Sequence, residues 1–267
     1  MIVAPPPPPD LDGKEIALFL DIDGTLLEHR PHPEDVRVDD HLRDLLKTLA
    51  KRLDGAVAFV TGRNVEMVDR LFAPLHLPTA GLYGLEHRLT ADGPVERADE
   101  PADLAAVADR LQHEFHSTQG VYFERKGAVL AVHTRAAPAA FPRVKAAAEA
   151  ALAELSSSYR IMAGHAGLEF LPLEALKSAA IERFMGARPF TGRRPVFLGD
   201  DVSDEAGFQY VNAANGISIR VRPETATEAK FALNDVASVH EWLAKLTASA
   251  RKPESAFGEH DAADSKC

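Results

Sequence analysis

Three apolar runs in this chain each break off at small polar or acidic residues, and amphipathic helices separate them. Ile16–Leu20 ends at Asp21-Ile22-Asp23-Gly24-Thr25, Ala56–Val60 ends at Thr61-Gly62-Arg63, and Pro195–Leu198 ends at Gly199-Asp200-Asp201. Short, wholly apolar runs read as strands buried on both faces. Between them Leu42, Leu45, Leu46, Leu49 and Leu53 recur at helical spacing behind Asp39 or Asp40 as a cap. Val65, Val68, Leu71 and Phe72 form a second apolar stripe behind Asn64. A short strand is expected near Ala80–Tyr83. Strand and helix in alternation predict an α/β fold whose parallel sheet carries helices on both faces, a doubly wound, Rossmann-like core.

The pattern changes after residue 84. Thr90-Ala91-Asp92-Gly93 reads as a turn, and Leu104, Val107, Leu111 and Phe115 as a helix. Val121–Lys126 and Ala128–Thr134 read as a hairpin about Gly127, Val144 to Leu155 as another helix, and Arg160–Ala163 and Leu168–Leu171 as a second strand pair. This predicts an inserted α+β unit at 85–171, with a discontinuous core at 16–84 and 172–247. The alternating pattern then resumes with a helix bearing Leu176 and Phe184. Ser203 is the expected cap of the helix carrying Phe208, a strand covers Gly216–Val221, and a last helix carries Val236 to Leu246. Residues 1–15, with the run Pro5–Pro9, read as an extended, solvated lead-in, and 248–267 as a disordered tail.

The net charge of −10 argues against nucleic acid as a partner. No apolar stretch is long enough to span a bilayer, and the N-terminus lacks the basic-then-apolar pattern of a secretory signal. The single cysteine, Cys267, allows no internal disulfide and no cysteine-based zinc site. A cytoplasmic protein that touches no membrane is therefore expected.

The chemistry lies at the strand ends. Residues i and i+2 of a strand point the same way, so Asp21 and Asp23 both face the region beyond the first strand. In a doubly wound sheet the three polar ends converge on one edge. Carboxylates gathered there repel one another unless a cation sits among them. All-oxygen donors favour a hard ion such as Mg²⁺, and Mg²⁺ among carboxylates suits phosphoryl chemistry.

Asp21-Ile22-Asp23-Gly24-Thr25, Thr61-Gly62-Arg63, Lys177 and Gly199-Asp200-Asp201-Val202-Ser203-Asp204-Glu205 resemble, in order, the four motifs of the haloacid-dehalogenase-like (HAD) phosphatases. The resemblance covers the chain from Ile16 to about Leu246. It implies a phosphoric monoester hydrolase with Asp21 as nucleophile and Asp23 as general acid and base. Thr61 and Gly62 would hold the phosphate with Arg63 beside them, and Lys177 would balance charge. Mg²⁺ would bind the Asp21 and Asp200 carboxylates and the Asp23 main-chain oxygen. Asp201 and Asp204 would support that shell, while Gly24 and Thr25 shape the loop. The family's usual Lys-Gly is Lys177-Ser178 here.

The insertion is similar to the α/β cap of the trehalose-6-phosphate phosphatases, which implies an α+β cap domain at 85–171 with hinges near Gly84 and Pro172. Gly81 to Arg88 resembles that family's Gly-x-His-Gly-x-Glu-x-Arg, with Tyr83 in place of the histidine and Glu86 at the acidic position, which implies Glu86 in the substrate-binding set. Phe123 to Gly127, Val132 to Arg135 and Leu168 to Pro172 resemble further segments, with Thr134 in place of a tyrosine. Glu124, Lys126 and Glu169 would then bind sugar hydroxyls. Arg135 is open between substrate and support, and His133 is read as support. The implied substrate is trehalose 6-phosphate, which links the chain to a trehalose-phosphate synthase. Sucrose phosphate, mannosylglycerate phosphate or a hexose phosphate are alternatives. A non-catalytic sugar-phosphate-binding or partner-binding module is the alternative of another class.

Overall fold

A computed structural model describes residues 5–11, 15–30, 35–97, 99–155, 158–164 and 167–248. Its framework is an eight-stranded sheet. Strand β1 (Ile16–Leu20) lies between β2 (Val57–Val60) and β10 (Arg194–Gly199), paired in parallel with both. On one side β3 (Thr79–Gly81) adds in parallel, followed by antiparallel β4 (Glu86–Arg88) and β5 (Glu96–Arg97). On the other side β11 (Ile217–Val221) and β12 (Phe231–Leu233) add in parallel. The chain builds outward from β1 in one direction and later returns to build in the other. The order therefore reverses at β1, and a crevice is expected beyond the ends of β1, β2 and β10.

Every residue of β1 and β2 is buried, which is why these strands read as unbroken apolar runs, and β11 is buried throughout although it carries Ser218 and Arg220. Helix α1 (Asp40–Arg52) turns Leu42, Leu45, Leu46 and Leu49 inward and packs on α7 (Val236–Ala248). Asp39 is its cap and accepts the Leu42 N–H at 2.8 Å. Asn64 caps α2 (Val65–Phe72) by accepting the Met67 N–H at 2.8 Å. Helices α5 (Lys177–Met185) and α6 (Glu205–Ala213) pack on each other, and Phe19 of β1 lies 5.9 Å from Phe184 of α5, centroid to centroid.

A second, four-stranded sheet has the order β6 (Tyr122–Lys126), β7 (Val129–His133), β9 (Gly167–Pro172), β8 (Tyr159–Gly164). Its alternation decides its role. Phe123, Leu130, Val132, Leu168 and Phe170 pack on α3 (Ala102–Phe115) and α4 (Phe141–Leu152). Each large side chain buried there contributes about 1.5–3 kcal/mol. The interleaved residues Glu124, Lys126, His133 and Glu169 face the other way. At the near end of that polar face Val129 and Leu171 pack on Leu82 and Ala175, which joins the two sheets.

Several expectations are corrected. Strands β4 and β5, which fall at the expected start of the insertion, hydrogen-bond into the large sheet. The strand expected to reach Tyr83 stops at Gly81 and gives way to a 3-10 turn, Leu82–Gly84. Ser203 is not a helix cap. It lies inside the 3-10 turn Val202–Asp204, which Asp201 caps together with Asp204. The proline run is docked through two carbonyls while Pro6, Pro7 and Pro9 stay exposed. The Pro6 carbonyl accepts the Ala232 N–H of edge strand β12 at 2.9 Å, the Pro9 carbonyl accepts Trp242 Nε1 at 3.3 Å, and Leu11 packs on the core. A proline-rich segment has no internal hydrogen bonds, so its carbonyls are free to cover an edge. The expected tail, beyond residue 248, lies outside the described residues.

Candidate active site

Beyond Leu20 the Asp21 N–H donates to Leu198 O at 3.0 Å, which ties the first acidic residue to β10. The chain then turns sharply, with the Gly24 N–H on Leu27 O at 2.7 Å. Gly24 has φ +81°, and a Cβ there would sit 2.0 Å from Asp200 Oδ2. Glycine is required both by the left-handed backbone and by the close approach of a carboxylate.

Lys177, the first residue of α5, is 2% exposed. A helix N-terminus disfavours a cation, and here two carboxylates outweigh that. Lys177 Nζ lies 2.9 Å from Asp21 Oδ1 and 2.6 Å from Asp204 Oδ1. The second oxygen of Asp204 accepts the N–H groups of Asp200 and Asp201 at 3.1 and 2.9 Å. Asp204 is fully buried and belongs to the scaffold, fixing the loop after β10 and the lysine at once. Burial works against the Lys177 ammonium, but Asp204 and Asp21 hold its pKa above the usual lysine range. Burial pushes the Asp21 carboxyl well above the ordinary aspartate range, with Lys177 pulling against it. A bound cation would pull the same way as Lys177.

Carboxylate oxygens of Asp21, Asp200 and Asp204 lie within 4.8 Å of one another. The donors are all oxygen, which suits a hard divalent cation. Asp204 is already engaged by Lys177 and two backbone groups, so Asp21 and Asp200 remain as the carboxylates facing the cleft. Asp200 also receives Thr25 Oγ1 at 3.5 Å and lies 3.1 Å from His29 Nε2. That hydrogen bond raises the His29 pKa against the opposing effect of burial.

From β2 come buried Thr61, whose Oγ1 accepts the Arg63 N–H at 3.2 Å, and Gly62. Arg63 lines the same cleft. Its Nε and Nη2 grip both oxygens of Asp23 at 2.6 and 2.7 Å, a bidentate fork. Glu86 is a correction. It is buried, accepts the Val65 N–H at 2.8 Å and Arg97 Nε at 3.1 Å, and so supports the start of α2 rather than lining the cleft. Asp201 accepts the Val202 N–H at 2.7 Å and shapes its turn.

The small sheet supplies the opposite wall. Lys126 Nζ sits 3.4 Å from both Glu124 Oε2 and Glu169 Oε1. His133 Nε2 lies 3.0 Å from Glu124 Oε2, and this contact, with Lys126 nearby, holds the Glu124 pKa low against the effect of burial. Tyr83 Oη donates to Glu169 Oε2 at 2.9 Å. Burial and Glu169 push the Tyr83 phenol well above its usual range. Arg135 lines the rim and donates to Arg30 O at 3.0 Å. Together these walls enclose about 290 Å³, with Asp21, Thr61 and Lys177 on one side and Glu124, Lys126 and Glu169 on the other. His29, Arg30 and Tyr83 also line it. No motif marks His29 or Arg30 in the sequence, and only the loop geometry brings them to Asp200 and Arg135.

A family model described as trehalose-phosphatase matches residues 19–237. The chain belongs to the trehalose-phosphatase family. Among members, a probable trehalose-phosphate phosphatase of Sinorhizobium fredii is 43% identical over 80% of each chain. The trehalose-6-phosphate phosphatase of Escherichia coli is 35% identical over 90% of this chain and 89% of its own. A structure of the Aspergillus fumigatus trehalose-6-phosphate phosphatase superposes with a TM-score of 0.62 at 26% identity, covering 89% of this chain and 94% of the other. The acidic cluster and the polar wall of the small sheet face each other across one cleft. Among the described residues no helix is long and apolar enough to cross a membrane.

Proposed function

We propose that this chain hydrolyses trehalose 6-phosphate to trehalose and inorganic phosphate, with Asp21 as the nucleophile. The observation that carries the reading is Asp21 held against Lys177 at 2.9 Å, across one cleft from Glu124, Lys126 and Glu169. An Asp21 oxygen attacks phosphorus and forms an aspartyl phosphate, while the sugar oxygen leaves and takes a proton from Asp23. Asp23 then takes a proton from the water that attacks the acyl phosphate, and Asp21 is restored. Thr61 and the Gly62 backbone hold the phosphoryl oxygens, and Lys177 balances their charge.

The Asp21 and Asp200 carboxylates and the Asp23 main-chain oxygen are the proposed ligands of Mg²⁺. When bound, the ion offsets the negative charge of the phosphoryl group so that a carboxylate can approach it. The Arg63 fork occupies both oxygens of Asp23. It has to open before Asp23 can serve the leaving oxygen, and substrate phosphate is an anion that competes for the same guanidinium.

Glu124, Lys126 and Glu169 offer acceptors and donors to sugar hydroxyls. The unit from α3 to β9 acts as a cap that closes over the bound ester and excludes water. The reaction belongs in the cytoplasm, downstream of a trehalose-phosphate synthase. Tyr83, standing where the family has histidine, favours testing sucrose phosphate, mannosylglycerate phosphate and hexose phosphates beside trehalose 6-phosphate. Phosphate release across that panel, with and without EDTA, tests the reading. Fastest release from trehalose 6-phosphate, lost in EDTA, is expected; faster release from another ester would reassign the sugar.

A further inference from the structure

Tyr83 sits in a backbone turn that the sequence has no local reason to adopt. Leu82, Tyr83 and Gly84 have φ of 48°, 58° and 101°, three left-handed residues in succession, two of them not glycine. Side chains resist that region, so the surroundings must hold it. The Leu82 N–H donates to Arg63 O and the Tyr83 N–H to Thr61 O, both at 3.0 Å. The Leu82 side chain is buried with Val129 and Leu171 of the small sheet. The turn is therefore pinned to the phosphate loop on one side and to the small sheet on the other. Its effect is to lay the phenol over Gly62, where a Cβ would be 2.7 Å from Tyr83 Oη. From there the hydroxyl reaches Glu169 Oε2 at 2.9 Å, while Lys126 takes Glu169 Oε1 at 3.4 Å. Both oxygens of Glu169 are thus oriented, one by the turn after β3 and one by the small sheet.

We propose that Tyr83 is the positioning residue that sets the sugar half of the site against the phosphate half, acting through Glu169. Its backbone grips the phosphate loop at Thr61 and its hydroxyl aims Glu169, so one side chain fixes the spacing between the reacting phosphoryl group and the carboxylate that meets the sugar. The inference rests on the hydrolase reading above and deepens it. An ester that lacks a sugar does not use Glu169, and it should be far less sensitive to Tyr83 than a sugar phosphate.

The test compares wild type, Tyr83→Phe, Glu169→Gln and the double variant on trehalose 6-phosphate and on 4-nitrophenyl phosphate, with Mg²⁺ present. Tyr83→Phe keeps the ring over Gly62 and removes only the donor. The expected result is a fall in kcat/KM of about tenfold on the sugar phosphate, the loss of one hydrogen bond to a charged group, and a much smaller fall on the aryl phosphate. The double variant should be no worse than Glu169→Gln on the sugar ester. Equal losses on both esters, no loss on the sugar ester, or a double variant as poor as the product of the two singles would each overturn the proposal. Wild type that ignores trehalose 6-phosphate but hydrolyses another sugar phosphate refutes the substrate reading instead, and the same ratios taken on that ester then decide the role of Tyr83. Wild type that hydrolyses no sugar phosphate ends both.

Discussion

Lys177 holds two buried carboxylates apart and in place. Replacing it by methionine leaves buried Asp21 and Asp204 facing each other without a cation. We expect Lys177→Met to cost about 3–5 kcal/mol, read as a lower urea midpoint, and an unchanged midpoint would contradict the ion-pair account. The Glu124–His133 contact gives a pH dependence. Its hydrogen bond lowers the Glu124 pKa below the ordinary 4.5, so the folded state binds its proton more weakly than the unfolded chain. That contribution is complete above pH 4.5 and is lost as pH falls through the folded value. Glu124→Gln should flatten the acid limb of the stability curve in urea titrations taken from about pH 6 to pH 3; an identical limb would exclude the contact. At this scale the acidic motifs were readable because their neighbours in space are neighbours in sequence or sit at strand ends. The partners of Arg63 and Glu86 were not readable because they depend on pairing. Arg63 meets Asp23, 40 residues away, and Glu86 meets Val65 through the antiparallel β3–β4 turn.

Helix α2 shows how elements are fixed by atoms outside their own periodicity. Asn64 was readable as its cap because the signal is local. Glu86, which takes the Val65 N–H, was not, since it arrives from β4. Glu86→Ala should lower stability by about 2 kcal/mol, the order of one hydrogen bond to a charged group, while leaving the KM for the sugar ester unmoved. A raised KM at unchanged stability would return Glu86 to the substrate site. Strands β4, β5 and β12 escaped notice because two or three residues carry no periodicity and exist only by pairing. The docking of Pro6 and Pro9 has the same origin. Deleting residues 5–11 removes the cover of β12 and the acceptor of Trp242 Nε1. Trp242 is the only tryptophan, so its emission should shift to the red and the thermal midpoint should fall. Unchanged emission would show that the segment does not sit on α7.

On the scale of the whole molecule, the parallel core was readable because its strands are buried end to end and its helices are amphipathic. Which strand neighbours which was not, since β10 must return past a second sheet to lie beside β1. Nor was the face that the small sheet turns to the cleft. Four consecutive apolar residues hide the alternation in β7, and only the packing of Leu130, Val132 and Phe170 on α3 and α4 leaves Glu124, Lys126 and Glu169 for the other side. If the small sheet closes as a cap, scattering should show compaction on adding a non-hydrolysable analogue of the substrate, and identical profiles would rule closure out. The most direct measurement is phosphate released from trehalose 6-phosphate with Mg²⁺ by wild type and by Asp21→Asn. Turnover by wild type and a loss on the order of 10³-fold or more in the variant are predicted, as for removal of a nucleophile. An Asp21→Asn variant that works at the wild-type rate would contradict the account.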